Sequence, residues 1–286
     1  MTATARTAVL GTCILFTAAT PLAGQDEPVR WQRRTAATQS PVTVFHSTQT
    51  ANLPTAETIE RGELEIEISH RFLPTLSDGS GALWGLDGPV FNRLGLSVGF
   101  TDRLMVGLVR SNLDDNLDLN AKVRVGEGRA GAVSFMLGLA GGIALNTGVE
   151  AFEGLEDNET QAWALGIVNV LLGDGVALGV LPGYLYNPRL ADIVPEHNLS
   201  VGLAGQVYLS DLTSLFGEWN LSRERADLEH QAGAFGFELE TGGHFFKILL
   251  TNTVRLNPSQ YLGGTPFEFG TDQWRLGFNV TRLLHL

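Results

Sequence analysis

Apolar and polar residues alternate along most of this chain, and the alternation is clearest at 62–72. The two faces of this segment read Leu64, Ile66, Ile68 and Phe72 against Glu63, Glu65, Glu67, Ser69 and Arg71. A period of two places successive side chains on opposite faces of a strand, whereas a helix buries residues at a period of 3.6. The segment is therefore predicted to be a β-strand with one apolar and one charged face.

Eleven further segments show the same alternation. They are 93–100, 104–109, 117–125, 133–145, 163–171, 176–186, 199–209, 215–221, 235–241, 244–253 and 274–286. Most of the twelve are long enough for a tilted strand to cross a bilayer, which takes about 9 to 11 residues. The pattern predicts about twelve membrane-crossing strands.

The links between these segments differ in length according to strand parity. Tight links follow the even segments, at 101–103, 126–131, 173–175, 210–213 and 242–243. Longer links follow the odd segments, at 73–91, 112–116, 146–160, 188–196, 223–231 and 255–270. Short turns on one side and long loops on the other are typical of outer-membrane barrels. We predict an all-β fold, a transmembrane antiparallel up-and-down β-barrel of about twelve strands.

Two other folds compete with this interpretation. A soluble lipocalin-like or sandwich fold would also alternate, but it gives no reason for loop length to follow strand parity. Membrane helices are suggested by the apolar stretches at 130–145 and 162–185. The alternation of large residues with Gly and Ala in these stretches, and the break at 173–175, favour strands.

The chain divides into three predicted parts. Residues 1–24 have a lone Arg6, a short apolar run and small residues before an acidic start, which is typical of a cleaved signal peptide rather than a membrane anchor. Residues 25–61 are a polar periplasmic segment or a plug, and 62–286 form the barrel. Cleavage would remove Cys13, the single cysteine. Export in this form predicts a bacterial outer-membrane protein.

The formal net charge of -12 gives no basic surface for nucleic acid. A barrel in the outer membrane is expected to have outer-membrane lipids, the barrel-assembly machinery and small solutes as partners. Aromatic residues near strand ends are candidate membrane girdles. These are Trp163, Tyr184, Tyr186, Phe235 and Trp274 near the long loops, and Phe100 and Phe245 near the short turns.

The faces predicted to point inward carry seven acids and six bases. The acids are Glu63, Glu65, Glu67, Asp118, Glu218, Glu238 and Glu240, and the bases are Arg71, Arg93, Lys122, Arg124, Lys247 and Arg275. Because the first and last strands of a closed barrel are neighbours, Arg275 is expected beside Glu63, Glu65 and Glu67, and Lys247 beside Glu238. Such a ladder either seals the lumen as a paired network or selects solutes in a hydrated pore.

The sequence predicts no enzyme, metal site or cofactor. No two histidines have metal-ligand spacing. Ser69 and His70 would be the candidates for an outer-membrane hydrolase, but neighbouring residues on a strand point to opposite faces. The functional hypothesis is a small-solute channel or transport-related barrel. The alternative is a non-conducting structural or ligand-docking barrel, and an outer-membrane hydrolase is the remote one.

Four stretches carry a resemblance to a known family. They are GELEIEISHRF at 62–72, WGLDGPVFNRLGLSVGFTDRLMVGLVRS at 84–111, TGGHFFKILLTN at 241–252 and GFNVTRLLHL at 277–286. The sequence resembles an uncharacterised family of bacterial membrane-bound β-barrel proteins, known as a domain of unknown function. The resemblance implies a barrel and a cell-envelope location, and it implies no activity.

Overall fold

The computed structural model describes residues 42–149, 159–190, 195–270 and 272–285. Twelve antiparallel strands form a closed barrel in which each strand pairs with its neighbours in the chain and the last pairs with the first. The strands are β1 Glu63–Phe72, β2 Val90–Thr101, β3 Leu104–Ser111, β4 Asn116–Ala130, β5 Val133–Asn146, β6 Thr160–Leu172, β7 Val176–Tyr186, β8 His197–Tyr208, β9 Thr213–Ser222, β10 Ala232–Glu240, β11 His244–Thr251 and β12 Arg275–His285. The predicted up-and-down barrel is confirmed.

The two ends of the barrel differ as the spacing predicts. One end, the turn rim, carries the connections 102–103, 131–132, 173–175, 209–212 and 241–243. The other end, the loop rim, carries 73–89, 112–115, 147–159, 187–196, 223–231 and 252–274. Short helical segments lie in three loop-rim connections, at Leu76–Gly85, Leu113–Asp115 and Pro258–Tyr261. The predicted signal peptide, residues 1–24, lies outside the described residues.

One predicted turn is wrong. Residues 126–130 belong to β4, which bulges between Arg124 and Gly126 and then pairs with β5 as far as Ala130. The turn itself is 131–132, where Gly131 takes a left-handed φ of 60°. Glycine within a strand marks a bulge as readily as a turn, and here it does the former.

Outward side chains form an apolar belt around the barrel. Leu94, Leu119, Ile143 and Leu199 are 54%, 58%, 59% and 76% exposed, and their neighbours in sequence point into the lumen. The two apolar stretches that resemble membrane helices form β5, β6 and β7. A belt of this kind on a closed barrel is the surface that contacts lipid.

Two segments fill the lumen. The N-terminal insert, residues 42–60, precedes β1 and enters from the turn rim. The C-terminal insert, residues 252–265, is the part of the long β11–β12 connection that folds inward from the loop rim. Most residues of both inserts are buried.

The girdle prediction is wrong for two residues. Trp163 and Phe245 point into the lumen and are 6% and 2% exposed. Trp163 donates a hydrogen bond to Asp118, and Phe245 packs against Ile59 of the N-terminal insert. Their strand positions share the phase of inward-facing residues, and strand phase overrides proximity to a rim.

Candidate functional site in the barrel lumen

The N-terminal insert is a hairpin whose tip lies midway up the barrel. Its tip is closed by an N–H···O bond of 2.9 Å from Thr50 to Leu53, and the Thr55 amide donates to the Thr48 carbonyl at 2.9 Å. The Glu57 carboxylate joins the two arms, since it accepts from the Val44 amide at 2.7 Å. Both arms therefore run back to the turn rim.

Glu57 lies outside the twelve spanning strands and is fully buried between the insert and the wall. Burial raises the pKa of Glu57 to about 7. The amide donors of Val44 and Phe45 and the nearby cations Arg124 and Lys122 act in the opposite direction. The carboxyl group that ties the hairpin together therefore titrates near neutral pH.

One side of the hairpin is apolar. Val42, Val44, Phe45, Leu53 and Ala56 form one cluster with side chains from β5 to β8. Among those wall residues are Leu165, Ile167, Leu171, Leu181 and Leu185. Burying side chains of this size contributes about 1.5–3 kcal/mol each. The apolar side gives the insert much of its binding free energy.

One carboxylate accepts most of the hydrogen bonds that the hairpin tip donates to the wall. Glu218 accepts hydrogen bonds from the backbone amides of Ala51, Asn52 and Leu53 at 2.9–3.1 Å. It also accepts from the Thr50 hydroxyl at 2.6 Å. A charged acceptor with several backbone donors is a strong interaction in a buried site.

Two lysines hold the arms. Lys247 pairs with Glu238 at 3.0 Å, the neighbour expected from the sequence, and donates to the Thr50 carbonyl at 2.7 Å. Lys122 donates to the Thr48 carbonyl at 2.7 Å. Cationic side chains of the lumen therefore bind backbone oxygens of the insert. A network in which wall charges paired only with each other would not include such contacts.

Acids and bases on β1 and β2 complete the contact surface. Glu65 accepts from the Thr48 hydroxyl at 2.9 Å, and Arg71 donates to the Asn52 side chain at 3.1 Å. Glu67 forms an ion pair with Arg93. A cavity of about 70 Å³ remains between this part of the wall and the insert, enough for a few waters.

Arg93 contacts both inserts at once. Its guanidinium donates to Gln49 of the N-terminal insert at 3.0 Å and to the Leu256 carbonyl of the C-terminal insert at 2.6 Å. It also pairs with Glu67. This side chain links the wall and the two inserts.

Three more of the predicted ladder residues lie nearer the turn rim. Glu63 accepts from the Glu60 amide at 2.7 Å, and Glu240 lies 3.3 Å from His46. Arg124 pairs with Glu127 at 3.3 Å and donates to the Asp102 carbonyl. These contacts surround the place where the insert passes the rim.

The expected position of Arg275 is wrong. It was placed beside Glu63, Glu65 and Glu67, but β12 begins where β1 ends. The register pairs Arg71 with Gly277 and Glu67 with Thr281. Arg275 therefore lies at the loop rim, where it donates to the Leu73 carbonyl at 2.9 Å and lies over the Phe267 ring at 3.6 Å.

The C-terminal insert is held by neutral amides. Asn198 donates to the Leu262 carbonyl at 2.8 Å, and Asn220 donates to the Tyr261 and Leu262 carbonyls at 3.2 Å. Asn257 of the insert donates to Asn116 at 2.6 Å. These wall amides lie on inward faces near the loop-rim ends of β4, β8 and β9.

Sequence reasoning missed both the amides and the insert residues. The amides had a signal, because Asn116, Asn198 and Asn220 share the inward phase of their strands. The insert had a weaker one: Val44, Phe45, Leu53 and Ile59 are apolar residues inside an otherwise polar segment. Neither signal shows which side chains of the wall meet which residues of the insert.

Residues 45–284 match a family described as "Membrane bound beta barrel domain (DUF5777)". The chain belongs to this family. The matched range starts inside the N-terminal insert, so most of the insert is part of the family domain. The resemblance drawn from the sequence is confirmed, and the protein is a membrane-bound β-barrel. No curated protein matches the chain.

Several solved structures are similar in fold. An outer membrane channel from Pseudomonas putida F1 has a TM-score of 0.51 and 13% identity, over 80% of this chain and 98% of that one. The NanC porin has a TM-score of 0.47 and 9% identity, over 78% and 99%. The KdgM porin has a TM-score of 0.47 and 8% identity, over the same shares. At 13% identity, the channel from Pseudomonas shows a shared barrel fold.

Proposed function

We propose that this protein is a small-solute channel of the bacterial outer membrane whose lumen is closed by a removable plug, the N-terminal insert. One observation carries the proposal. Lumen charges of the wall, above all Glu218, Lys122 and Lys247, bind backbone groups of a hairpin whose two arms leave by the same rim. Such a hairpin can withdraw without passing through the barrel.

The lumen left by withdrawal would have two unlike halves. Strands β5 to β8 contain no Asp, Glu, Lys or Arg, whereas β9 to β12 and β1 to β4 carry the thirteen predicted lumen charges. Glu65, Glu67, Lys122 and Lys247 would then contact water and solutes instead of the insert. We propose that this charged half sets the ion preference of the open channel.

The same proposal covers location and assembly. We propose that residues 1–24 direct export and are cleaved, that the barrel-assembly machinery inserts the chain, and that the turn rim faces the periplasm. Single cysteines placed at 223–231 should then react with an impermeant thiol reagent on intact cells. Reaction at 173–175 instead would invert the orientation.

A catalytic role receives no support from the Ser69 and His70 pair. Ser69 is fully buried in the lumen and donates to Glu67, whereas the His70 ring lies outside, 4.6 Å from the Phe278 ring. The two side chains point to opposite faces of β1, as strand geometry requires. We propose a non-enzymatic barrel.

A disulfide lock tests the plug. A Cβ added at Gly138 would lie 3.2 Å from the Ala56 Cβ, slightly inside the range of disulfides, so Ala56→Cys with Gly138→Cys should cross-link after a small adjustment. In a chain that begins at residue 25, these are the only cysteines. Single-channel recording should show few openings when the pair is oxidised and more openings after reduction.

Each single-cysteine variant serves as a control and should not respond to oxidant. A chain that lacks residues 25–61, shown to be folded by heat-modifiable migration, should conduct steadily. Glu65→Gln plus Glu67→Gln in that chain should shift its preference towards anions. The C-terminal insert remains in the lumen of this shortened barrel. Silence of the folded shortened barrel would therefore show that removal of the N-terminal insert alone does not open a channel, and would favour the non-conducting structural or docking alternative.

A further inference from the structure

The loop rim contains a cavity of about 200 Å³ beside the C-terminal insert. Its polar lining comes from Asp114, Gln161, Arg189, Asp227, Arg255 and Gln260. Apolar contact is available from Pro188 and Leu228. This volume holds several waters or one small organic molecule. The cavity is separate from the charged surface that holds the N-terminal insert.

Arg255 supplies hydrogen-bond donors to this cavity. Within the described part of the chain, its guanidinium makes one hydrogen bond, a long one of 3.5 Å to the Gln260 carbonyl. Arg189, in contrast, is paired with Asp227 at 2.9 Å. A guanidinium has five N–H donors and matches a carboxylate with two parallel bonds. Among the described residues, the lining therefore offers guanidinium N–H donors that make no short hydrogen bond within the protein.

Gln260 supplies an acceptor. Its side-chain nitrogen donates to the Leu113 carbonyl at 2.8 Å, which fixes the orientation of the amide. Its Oε1 atom is buried and has no hydrogen-bond partner among the described residues. Gln260 is 1% exposed. Because a buried acceptor without a partner costs free energy, the position fits a ligand with an N–H or O–H group.

We propose that this cavity binds small organic carboxylates that also carry a hydroxyl or ammonium group. Arg255 binds the carboxylate, and Gln260 Oε1 accepts from the second group. Asp114 and Asp227 also line the cavity, and their negative charges act on Arg255, so a second group that is an ammonium or hydroxyl is favoured over a second carboxylate. Binding at this site does not require conduction through the lumen, so the binding proposal can be tested independently of the plug.

Saturation-transfer NMR on the folded chain 25–286 in detergent tests the site. The probes are L-lactate and L-alanine, with propionate, which lacks the donor, and propane-1,2-diol, which lacks the carboxylate. Lactate or alanine should give saturable signals in the millimolar range. Propionate should bind several-fold more weakly, and the diol should give no saturable signal.

Three variants assign the contacts. Arg255→Gln should weaken lactate and alanine binding by about tenfold or more, the effect of losing a charge-assisted pair. Gln260→Met should reduce the preference over propionate. Arg110→Gln changes an exposed arginine of β3 that pairs with Asp115, and should leave binding unchanged. Unchanged binding to Arg255→Gln, or no saturable signal from either probe, would overturn the proposal.

Discussion

The two inserts occupy the same lumen but are held by different chemistry. The polar contacts of the N-terminal insert are chiefly with charged side chains, with Glu218, Lys122 and Lys247 on its backbone. The C-terminal insert binds chiefly to neutral amides such as Asn198 and Asn220. A buried charge that loses its partner costs about 3–5 kcal/mol, whereas the loss of a hydrogen bond to a neutral amide costs about 1 kcal/mol. The N-terminal insert should therefore respond strongly to single charge changes and the C-terminal insert weakly.

The largest effect is expected from Lys247→Met. The change leaves Glu238 buried without its 3.0 Å partner and removes the donor to Thr50. Breaking a buried pair in this way costs about 3–5 kcal/mol. We expect release of the N-terminal insert, measured as faster thiol labelling of Ala51→Cys in a folded chain that begins at residue 25.

The double variant Lys247→Met with Glu238→Gln is the control for that experiment. It removes the uncompensated charge and should recover part of the protection. Labelling that stays slow in Lys247→Met would show that the apolar side of the hairpin alone holds the insert.

A smaller effect is expected from Gly99→Ala. A Cβ at Gly99 would lie 1.9 Å from the Glu60 carbonyl oxygen, so the backbone at the end of the insert must shift. Overpacking of this kind costs about 1–3 kcal/mol. Labelling of Ala51→Cys should rise moderately. Gly205→Ala is the matched control, because the nearest atom to its Cβ beyond the adjacent residues would be Leu178 Cδ2 at 3.8 Å.

Docking of the N-terminal insert should depend on pH through Glu57. Docking raises the pKa of Glu57 from 4.5 to about 7, so the docked insert binds a proton that the released insert gives up. Docking is then strongest below pH 4.5 and weakens as the pH rises to about 7. Labelling of Ala51→Cys, corrected for thiolate fraction, should be at least about tenfold faster at pH 8 than at pH 5. Glu57→Gln should remove the dependence, and a persistent slope would assign it to another group.

The smallest effect is expected from Asn220→Ala. It removes two 3.2 Å hydrogen bonds to the C-terminal insert, worth about 1 kcal/mol together. Labelling of Ser259→Cys should rise about fivefold, while labelling of Ala51→Cys stays constant. An equal rise at both positions would show that the inserts move together, with Arg93 as the connection.

The barrel was predictable because strand phase and loop parity are local. Alternation at 62–72 identified the charged inner face correctly, and the pairing of Lys247 with Glu238 followed from adjacent strands. The predicted position of Arg275 was wrong because the register between the first and last strands depends on which ends of the two strands meet. The partners of Glu218 could not be predicted for a different reason. They lie in residues 50–53, and an irregular segment has no period that specifies its contacts.

The hairpin shape of the N-terminal insert has a mechanical consequence. Both arms reach the turn rim, so tension on the preceding chain acts at the first arm and opens contacts in order, from Val44 to the tip at Thr50–Leu53. Contacts loaded one after another resist far less force than contacts loaded together in shear. Force applied to the chain before residue 42 would therefore release the insert one contact at a time and leave the twelve-stranded wall intact.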